Sequence, residues 1–334
     1  MKNPRSMPAA LAVLLASSAM AQAEPLPIYG ARLEGFEYPH PVKTFALDSQ
    51  AQPLEMAYLD IAPTTPNGRT VVLLHGKNFC AATWEAAITA LTGAGYRVVV
   101  PDQIGFCKSS KPQRYQYSFG QLAANTQALL ASLDIERAVI VGHSMGGMLA
   151  ARYALQYPDA TERLMLVNPI GLEDWKAEGV PWRSVDAWYA REQKTSFDSI
   201  RDYQRTVYYD GAWKPEYEQW VRMLGGMYAG EGREAVAWSQ ALTSDMVFTQ
   251  PVVHEFPKIA VPTTLFIGQK DRTAIGKDLA PPEVAKRIGD YPALGRRAAA
   301  AIPKARLVEF ADLGHSPQVE DPARFNAALL EALR

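Results

Sequence analysis

The segment of residues 142–146, Gly-His-Ser-Met-Gly, combines a reactive side chain with a spacing that can expose it. It follows the apolar run 138–141 and precedes a stretch of helical spacing, so the serine lies at a sharp turn from a buried strand into a helix. Glycine at 142 and 146 leaves room for strand and helix to approach each other closely. This context predicts that Ser144 is a nucleophile rather than a serine that only stabilises a turn.

A serine nucleophile requires a base, and the chain contains five histidines. His315 follows the apolar run 306–310 by the short loop 311–314, which places it beyond the last predicted strand and at the same edge of the sheet as Ser144. We therefore expect His315 to be the general base. The remaining histidines are expected to be structural: His40, His75, His143 and His254.

An acid must hold this base in the correct orientation. Asp271 follows the apolar run 264–267 through a short turn, so it also projects from the carboxyl end of a strand. There it could fix the tautomer of His315 and stabilise the imidazolium that forms. Asp174, which follows the preceding strand, is the alternative acid. The expected catalytic set is Ser144, His315 and Asp271.

The third turn with chemical potential is residues 74–79, Leu-His-Gly-Lys-Asn-Phe. A His-Gly pair directly after a strand can place a main-chain N–H where the oxyanion of a tetrahedral intermediate develops. We assign this donor to Lys77, with Asn78 as the alternative. The N–H of Met145, the residue after the nucleophile, is the expected second donor.

Short apolar runs alternate with segments of helical spacing around these turns. Two runs, 42–47 and 54–61, open the pattern as an antiparallel pair of strands. Later runs predict strands buried on both faces of a parallel sheet, and with 306–310 they complete eight: 70–74, 97–100, 138–141, 164–167 and 264–267. Helices are predicted at 81–91, 119–133, 145–157, 283–301 and 322–333. The alternation favours an α/β fold with a mostly parallel sheet and helices on both faces.

The alternation stops between residues 171 and 255, where six of the seven tryptophans lie and no buried strand is evident. We interpret this stretch as a helical cap inserted after the sixth strand. The core domain then comprises residues 24–170 and 256–334. Most of the aromatic side chains should form the cap's own core, and some should cover a site at the carboxyl ends of the strands, where they would form an apolar pocket.

Composition excludes several classes of function. The 334 residues are 48% hydrophobic and 21% charged, as in ordinary globular proteins, and 34 basic against 35 acidic residues give a net charge of −1. Such a chain has no field that would bind a nucleic acid or an anionic membrane. No metal or organic cofactor is expected, because the sequence has no Cys-x-x-Cys pair and the predicted chemistry needs none. No obligate protein partner is evident.

Residues 1–23 have the pattern of a secretory signal peptide. Lys2 and Arg5 precede the apolar run 9–16, and Ala21-Gln22-Ala23 forms a small-x-small cleavage site. The run is shorter than the ~20 apolar residues that a membrane-spanning helix needs, so no stable membrane insertion is expected. The sequence therefore predicts a periplasmic or secreted protein.

Cys80 and Cys107 are the only two cysteines. Cys80 follows the turn at residues 74–79, and Cys107 lies in the loop after the fourth strand, so both loops should emerge at the edge of the sheet that carries Ser144. In an oxidising compartment two free thiols would be exposed to damage. We expect a disulfide between them, with two buried small side chains as the alternative.

The order Ser144, Asp271, His315 along an eight-stranded pattern, with His75-Gly76 upstream and a helical insertion after strand six, resembles the α/β-hydrolase superfamily. The segment 101–109 also resembles this family's loop after its fourth strand, where glycine is usual at the position of Cys107. Capped relatives such as haloalkane dehalogenases and epoxide hydrolases use an aspartate nucleophile, so Ser144 argues against both chemistries. The resemblance implies relatives among carboxylesterases, carbon–carbon bond hydrolases, prolyl aminopeptidases and cofactor-free haloperoxidases.

The leading hypothesis is a secreted serine hydrolase that cleaves carboxylic esters of short to medium apolar substrates through an acyl-enzyme. Its partner is then a small-molecule ester. Amide or carbon–carbon bond hydrolysis would use the same three residues and differ only in the pocket. A non-enzymatic binding scaffold is the remaining alternative, and it is disfavoured because none of the three residues is missing.

Overall fold

One eight-stranded sheet organises the chain in a computed structural model that describes residues 25–334. The predicted signal peptide, residues 1–23, lies outside the described residues. The strands follow the spatial order β1-β2-β4-β3-β5-β6-β7-β8. Their bounds are β1 Lys43–Ser49, β2 Gln52–Ile61, β3 Thr70–Leu74, β4 Arg97–Pro101, β5 Ala138–His143, β6 Thr161–Val167, β7 Thr263–Gly268 and β8 Ala305–Phe310. β2 is antiparallel to both β1 and β4, and all other pairs are parallel, which confirms the predicted fold class.

Neighbouring residues along the central strands are buried on opposite faces of the sheet. Val139 and Val141 of β5 pack in the same cluster as Phe325, whereas Ala138 and Ile140 belong to the cluster on the other face. Because both faces are covered, such a strand needs no polar positions. This is why the central strands appear in the sequence as continuous apolar runs.

Helices cover both faces of the sheet. Those outside the insertion are α1 Glu85–Gly93, α2 Phe119–Ser132, α3 Met145–Gln156, α8 Pro282–Arg287, α9 Tyr291–Ala301, α10 Pro317–Glu320 and α11 Pro322–Leu333. α1 and α11 share one hydrophobic cluster, and α2, α3 and α9 contribute to the other. In residues 25–334, no helix has the length and apolarity needed to cross a membrane.

The single helix predicted over residues 283–301 is wrong, because the structure has two helices there, α8 and α9. Gly289, between them, has φ of +73°, a left-handed conformation that ends helical geometry. Its N–H donates to the Glu173 carboxylate at 2.8 Å. A Cβ at this position would lie 2.8 Å from the carbonyl oxygen of Arg272, so the break is set by packing against a distant segment.

Four α-helices form the insertion between β6 and β7. They are α4 Val185–Glu192, α5 Phe197–Tyr203, α6 Glu218–Ala229 and α7 Arg233–Thr249. One turn of π-helix, Gln204–Tyr208, continues α5. Trp220 and Tyr217 are buried in the cluster that also contains Ile140 of the sheet, whereas Trp182 is 62% exposed. The insertion therefore shares a hydrophobic cluster with the sheet, and its treatment as a separate cap domain stays a prediction.

A disulfide bond joins Cys80 to Cys107, whose Cα atoms are 5.8 Å apart. Both residues are buried. Cys107 has φ of +44°, in the left-handed region that glycine adopts most easily. The cross-link thus connects the loop after β3 to a strained position in the loop after β4.

Reduction of this disulfide is expected to lower the free energy of unfolding. The bond closes a loop of 27 residues, which the chain-entropy relation converts to about 3 to 4 kcal/mol. Urea unfolding with and without a reductant measures the change. The double variant Cys80→Ser/Cys107→Ser is the control and should not respond to reductant. If reductant does not change the urea midpoint of the natural protein, the expectation is contradicted.

Candidate active site

Ser144 lies between the last residue of β5 and the first residue of α3, with φ of 56° and ψ of −121°. A non-glycine residue rarely adopts this conformation, and it persists only where the surroundings enforce it. A Cβ on Gly142 would lie 2.0 Å from the carbonyl oxygen of Gly146, and one on Gly146 would lie 2.3 Å from that of Leu74. The two glycines therefore allow the backbone contacts that hold Ser144 at the tip of the turn.

A continuous line of hydrogen bonds connects Ser144, His315 and Asp271. The distance from His315 Nε2 to Ser144 Oγ is 2.9 Å, and that from His315 Nδ1 to Asp271 Oδ2 is 2.6 Å. All three residues are buried. Because an ionised carboxylate only accepts hydrogen bonds, Nδ1 carries the proton and the Nε2 lone pair faces the serine hydroxyl. This arrangement can take a proton from Ser144.

Asp174, the alternative acid, lies elsewhere. Its Oδ2 is 3.0 Å from Nε2 of His254, an exposed side chain. Partial burial raises the pKa of Asp174, but the hydrogen bond from His254 and those from the neighbouring main chain outweigh it, so the pKa is lowered overall. The acid bonded to His315 is therefore Asp271, and Asp174 belongs to a separate surface pair.

Asn168 supports Asp271 and was not among the residues chosen from the sequence. Its Nδ2 donates to Asp271 Oδ2 at 2.9 Å, and its Oδ1 accepts the N–H of Gly268 at 2.8 Å. The other carboxylate oxygen, Oδ1, accepts the N–H of Thr273 at 2.8 Å. A polar residue directly after the apolar strand β6 was the available signal. These bonds fix the carboxylate before any substrate binds.

Two further histidines shape the turns around the site. His143 Nε2 is 2.8 Å from the carbonyl oxygen of His315, which can only accept, so Nε2 carries the proton. Burial lowers the pKa of His143 well below its usual value and keeps the ring neutral. His75 accepts the N–H of Gln103 at 3.0 Å through Nε2, and burial lowers its pKa as well. Both rings are neutral hydrogen-bonding spacers.

The loop after β3 lies against the serine. A Cβ on Gly76 would come within 2.9 Å of the Ser144 Cβ, so the main chain of this loop borders the turn directly. Within the described part of the chain, the main-chain N–H groups of Lys77 and Met145 donate to no carbonyl oxygen. Their role as donors to an oxyanion stays a prediction. The Asn78 side chain donates from Nδ2 to Tyr208 Oη at 2.8 Å. Its main-chain N–H donates to no carbonyl oxygen of the described residues either, so Asn78 stays the alternative donor.

Tyr208 holds His315 from the side of the insertion. Its carbonyl oxygen accepts the N–H of His315 at 2.8 Å, and its ring stacks on the imidazole with centroids 4.4 Å apart. A Cβ on Gly314 would lie 2.0 Å from the same carbonyl oxygen. Tyr208 ends the π-helical turn, a feature that is frequent at functional sites. Nothing in the local sequence distinguished it from the other aromatic residues nearby.

Glu320 binds the loop that carries His315. Its carboxylate accepts the N–H groups of Gly314 at 2.9 Å and of Ser316 at 3.0 Å, on either side of His315. Burial raises the pKa of Glu320 to about 7, although these two hydrogen bonds oppose the rise. Glu320 was not among the residues predicted from the sequence. A glutamate five residues after the predicted base was the only local signal.

A cavity of about 530 Å³ opens above Ser144 between the sheet edge and the insertion. Apolar side chains such as Ile170, Val207 and Leu224 contribute to its wall. Its volume lies in the range of small-molecule binding sites.

In the described part of the chain, one group of three side chains lies close enough together to be considered as a metal site. The sulfurs of Cys80 and Cys107 and a carboxylate oxygen of Asp102 lie within 4.8 Å of one another. The sulfurs are joined in the disulfide and Asp102 already accepts from Ala81 N at 2.8 Å and Tyr38 Oη at 2.7 Å. Because cysteine sulfur binds a metal as a thiolate and not as a disulfide, this group does not fit a metal ion.

A protein-family model described as the alpha/beta hydrolase family matches residues 71–328, which include every element that carries the site. The chain belongs to the alpha/beta hydrolase family. It is similar to a crystal structure of a probable hydrolytic enzyme from Pseudomonas aeruginosa PAO1, at 63% identity and a TM-score of 0.92. That similarity covers 92% of this chain and 99% of the other.

Curated relatives match shorter parts of this hydrolase. An uncharacterized protein of Mycobacterium tuberculosis is 39% identical over 106 residues, or 32% of this chain and 30% of its own length. The chain thus spans less than a third of that relative. A 2-hydroxy-6-oxo-6-phenylhexa-2,4-dienoate hydrolase of Comamonas testosteroni is 30% identical over 146 residues, or 43% of this chain and 51% of its own length.

Replacement of Glu320 by glutamine should change how stability depends on pH. The pKa of Glu320 is raised from 4.5 to about 7, so the folded hydrolase binds an extra proton between these values and loses stability as pH rises through them. Glu320→Gln avoids this loss, and its amide oxygen can still accept both N–H groups. When the pH is raised from about 5 to about 8, the unfolding free energy of the variant minus that of the natural protein should increase by about 2 to 3 kcal/mol.

Urea titrations at both pH values measure this shift. Glu283→Gln is the matched control, because Glu283 is exposed and should give the same difference from the natural protein at both pH values. A difference for Glu320→Gln that does not depend on pH would show that the carboxyl is not held in its protonated form near neutrality.

Proposed function

We propose that this α/β hydrolase is a serine hydrolase that cleaves carboxylic esters of short to medium, largely apolar substrates through an acyl-enzyme. The observation that carries the proposal is the hydrogen-bonded line Ser144–His315–Asp271 at the base of the cavity. No metal or cofactor is required by this mechanism.

In the proposed mechanism, Ser144 Oγ attacks the acyl carbon while His315 Nε2 takes its proton. His315 then returns the proton to the leaving alcohol, and a water molecule repeats the cycle on the acyl-enzyme. Asp271 keeps the proton of the imidazole on Nδ1 and stabilises the imidazolium. Its hydrogen bonds from Asn168 and Thr273 support this role, because they fix the orientation of the carboxylate.

The oxyanion of each tetrahedral intermediate is assigned to the N–H groups of Lys77 and Met145. Such donors stabilise charge that develops only in the transition state, and losing one typically costs 10²-fold to 10³-fold in turnover, in order of magnitude. The contact between Gly76 and Ser144 and the disulfide at Cys80, just beyond the loop, support this assignment. Both restrain the main chain that carries the Lys77 amide.

Carbon–carbon bond hydrolysis is the second candidate. It is favoured by the similarity to the phenylhexadienoate hydrolase, which covers about half of that relative. The same three residues could serve either reaction, so the pocket and not the catalytic groups must distinguish them.

The disulfide and the signal peptide predicted at residues 1–23 support a periplasmic or secreted location.

Substitution of the three central residues tests the mechanism. Ser144→Ala and His315→Ala should each lower kcat/KM on p-nitrophenyl butyrate by about 10³-fold or more, because nucleophile and base act as one unit. Asp271→Asn should also be severe, with a larger residual activity. Asp174→Asn is the matched control and should stay close to the natural protein, since Asp174 pairs with His254.

Covalent labelling provides an independent measurement. A fluorophosphonate should modify Ser144 and leave Ser144→Ala unlabelled, as detected by mass spectrometry of the intact protein. Activity of Ser144→Ala within about tenfold of the natural protein would overturn the assignment. Loss of activity on treatment with a chelator, restored by a divalent metal, would overturn the metal-free mechanism.

Substrate size gives a second test of the proposal. Each methylene that enters an apolar cavity contributes roughly 0.8 kcal/mol, so kcat/KM should rise over the first few acyl carbons. It should then level off, because a cavity of about 530 Å³ fills. A series of p-nitrophenyl esters of increasing chain length measures this profile. Best turnover on emulsified long-chain triglyceride would contradict it.

A further inference from the structure

The cavity above Ser144 has an excess of positive charge. The residues that line it include five basic side chains, Lys77, Arg191, Lys194, Arg272 and Lys277, but only two carboxylates, Glu192 and Asp278. The whole chain, in contrast, has a formal net charge of −1. The excess is therefore a local property of the cavity.

Two of the five basic side chains are already neutralised. Lys77 Nζ lies 3.1 Å from Glu192 Oε1, and both side chains are largely buried. Arg191 Nη1 lies 2.7 Å from Asp278 Oδ2, which also accepts from Arg183 at 2.6 Å. Both carboxylates that line the cavity are thus engaged, and neither can compensate a further cation.

The other three, Lys194, Arg272 and Lys277, form no ion pair with a carboxylate in the described part of the chain. Arg272 donates to the carbonyl oxygen of Asp271 at 2.7 Å, and Lys277 Nζ donates to that of Ile288 at 3.2 Å. Carbonyl dipoles orient these cations without neutralising them. Burial lowers the pKa of Lys277, and the Arg272 guanidinium adds to this effect. The nearby carboxylates of Glu173 and Asp271 oppose it, although neither forms an ion pair with Lys277.

The three cations lie on two segments that the Arg191–Asp278 ion pair connects. Lys194 follows α4 in the insertion, whereas Arg272 and Lys277 belong to the segment that begins at Asp271. The same segment provides Thr273, whose buried hydroxyl has no hydrogen-bond partner among residues 25–334. The cationic wall is therefore connected directly to the acid of the proposed catalytic set.

Building on the proposed function, we infer that the preferred substrates are small esters that carry a free carboxylate, bound by Lys194, Arg272 and Lys277. Ammonium and guanidinium groups form charge-assisted hydrogen bonds with carboxylates. Lys277 is partly buried, whereas Lys194 and Arg272 are exposed, so this attraction should weaken as salt is raised. The apolar wall formed by Ile170, Val207 and Leu224 accommodates the methylenes between the carboxylate and the ester. The inferred substrates are thus short to medium esters that combine an apolar chain with one free carboxylate, namely monoesters of dicarboxylic acids and esters of hydroxy acids.

Matched substrate pairs test the inference on the natural protein. The first pair is the p-nitrophenyl monoester of glutaric acid and the same compound with its free carboxylate methylated, compared by p-nitrophenol release. The second is acetoxyacetate and its methyl ester, compared by acetate release, which moves the carboxylate to the alcohol side. We expect kcat/KM to be at least about tenfold higher for the charged member of at least one pair, and this preference to shrink as salt is raised to about 0.5 M.

Variants locate the subsite. Lys277→Met and Lys194→Met remove a charge and keep a similar length, and each should reduce the ratio of kcat/KM for the charged over the neutral substrate by about threefold or more, mainly through KM. Lys304→Met is the matched control, because Lys304 lies just before β8, at the opposite edge of the sheet. It should leave the ratio unchanged. Melting temperatures of all three variants establish that they are folded.

The outcomes separate this inference from the proposed function. Equal or better turnover of the neutral member in both pairs would overturn the carboxylate subsite and leave the esterase standing. No hydrolysis of any of the four compounds would overturn the proposed function itself. A charged preference that survives high salt and the double variant Lys194→Met/Lys277→Met would also overturn the subsite, because other groups would then recognise the carboxylate.

Discussion

The close contact of three main-chain segments at Ser144 is the constraint on which the rest of the site depends. α3 begins directly against the ends of β3 and β5, and the carbonyl oxygens of Leu74 and Gly146 occupy the space where side chains of Gly146 and Gly142 would lie. The strained conformation of Ser144 is a consequence of this packing, since no relaxed turn fits between a strand and a helix so close together. The parallel sheet contributes the remaining groups, because the carboxyl ends of its strands meet at one edge.

His315 is positioned by main-chain contacts as much as by Asp271. Tyr208 accepts its N–H, His143 donates to its carbonyl oxygen, and Glu320 binds the N–H groups of the residues on either side. These three residues come from the insertion, from β5 and from α10. The insertion is therefore part of the structure that orients the proposed base. Because the Tyr208 ring stacks on the imidazole, a displacement of this part of the insertion would also displace His315.

The fold followed from the sequence to a large extent, because strands buried on both faces leave a continuous apolar signature. The run 138–141 is β5, and the predicted pair at the amino-terminal edge is β1 and β2. The helix predicted at 283–301 failed at Gly289, where the left-handed turn is required by contacts with Arg272 and Glu173. Those contacts come from segments far away in the chain, and no local pattern of residues encodes them.

The same distinction between local patterns and distant contacts applies to the site. The sequence by itself determined which residues stand at the ends of strands, and this was enough to select Ser144 and His315 by their turn context. Only the tertiary structure decided that Asp271 rather than Asp174 is bonded to His315. It also decided that Asn168 binds Asp271, that Glu320 binds the loop of His315, and that the Tyr208 ring stacks on the imidazole. The physical reason is that turn geometry and burial are local consequences of residue type and spacing. Hydrogen-bond partners and cavity charge, in contrast, arise when distant segments pack together.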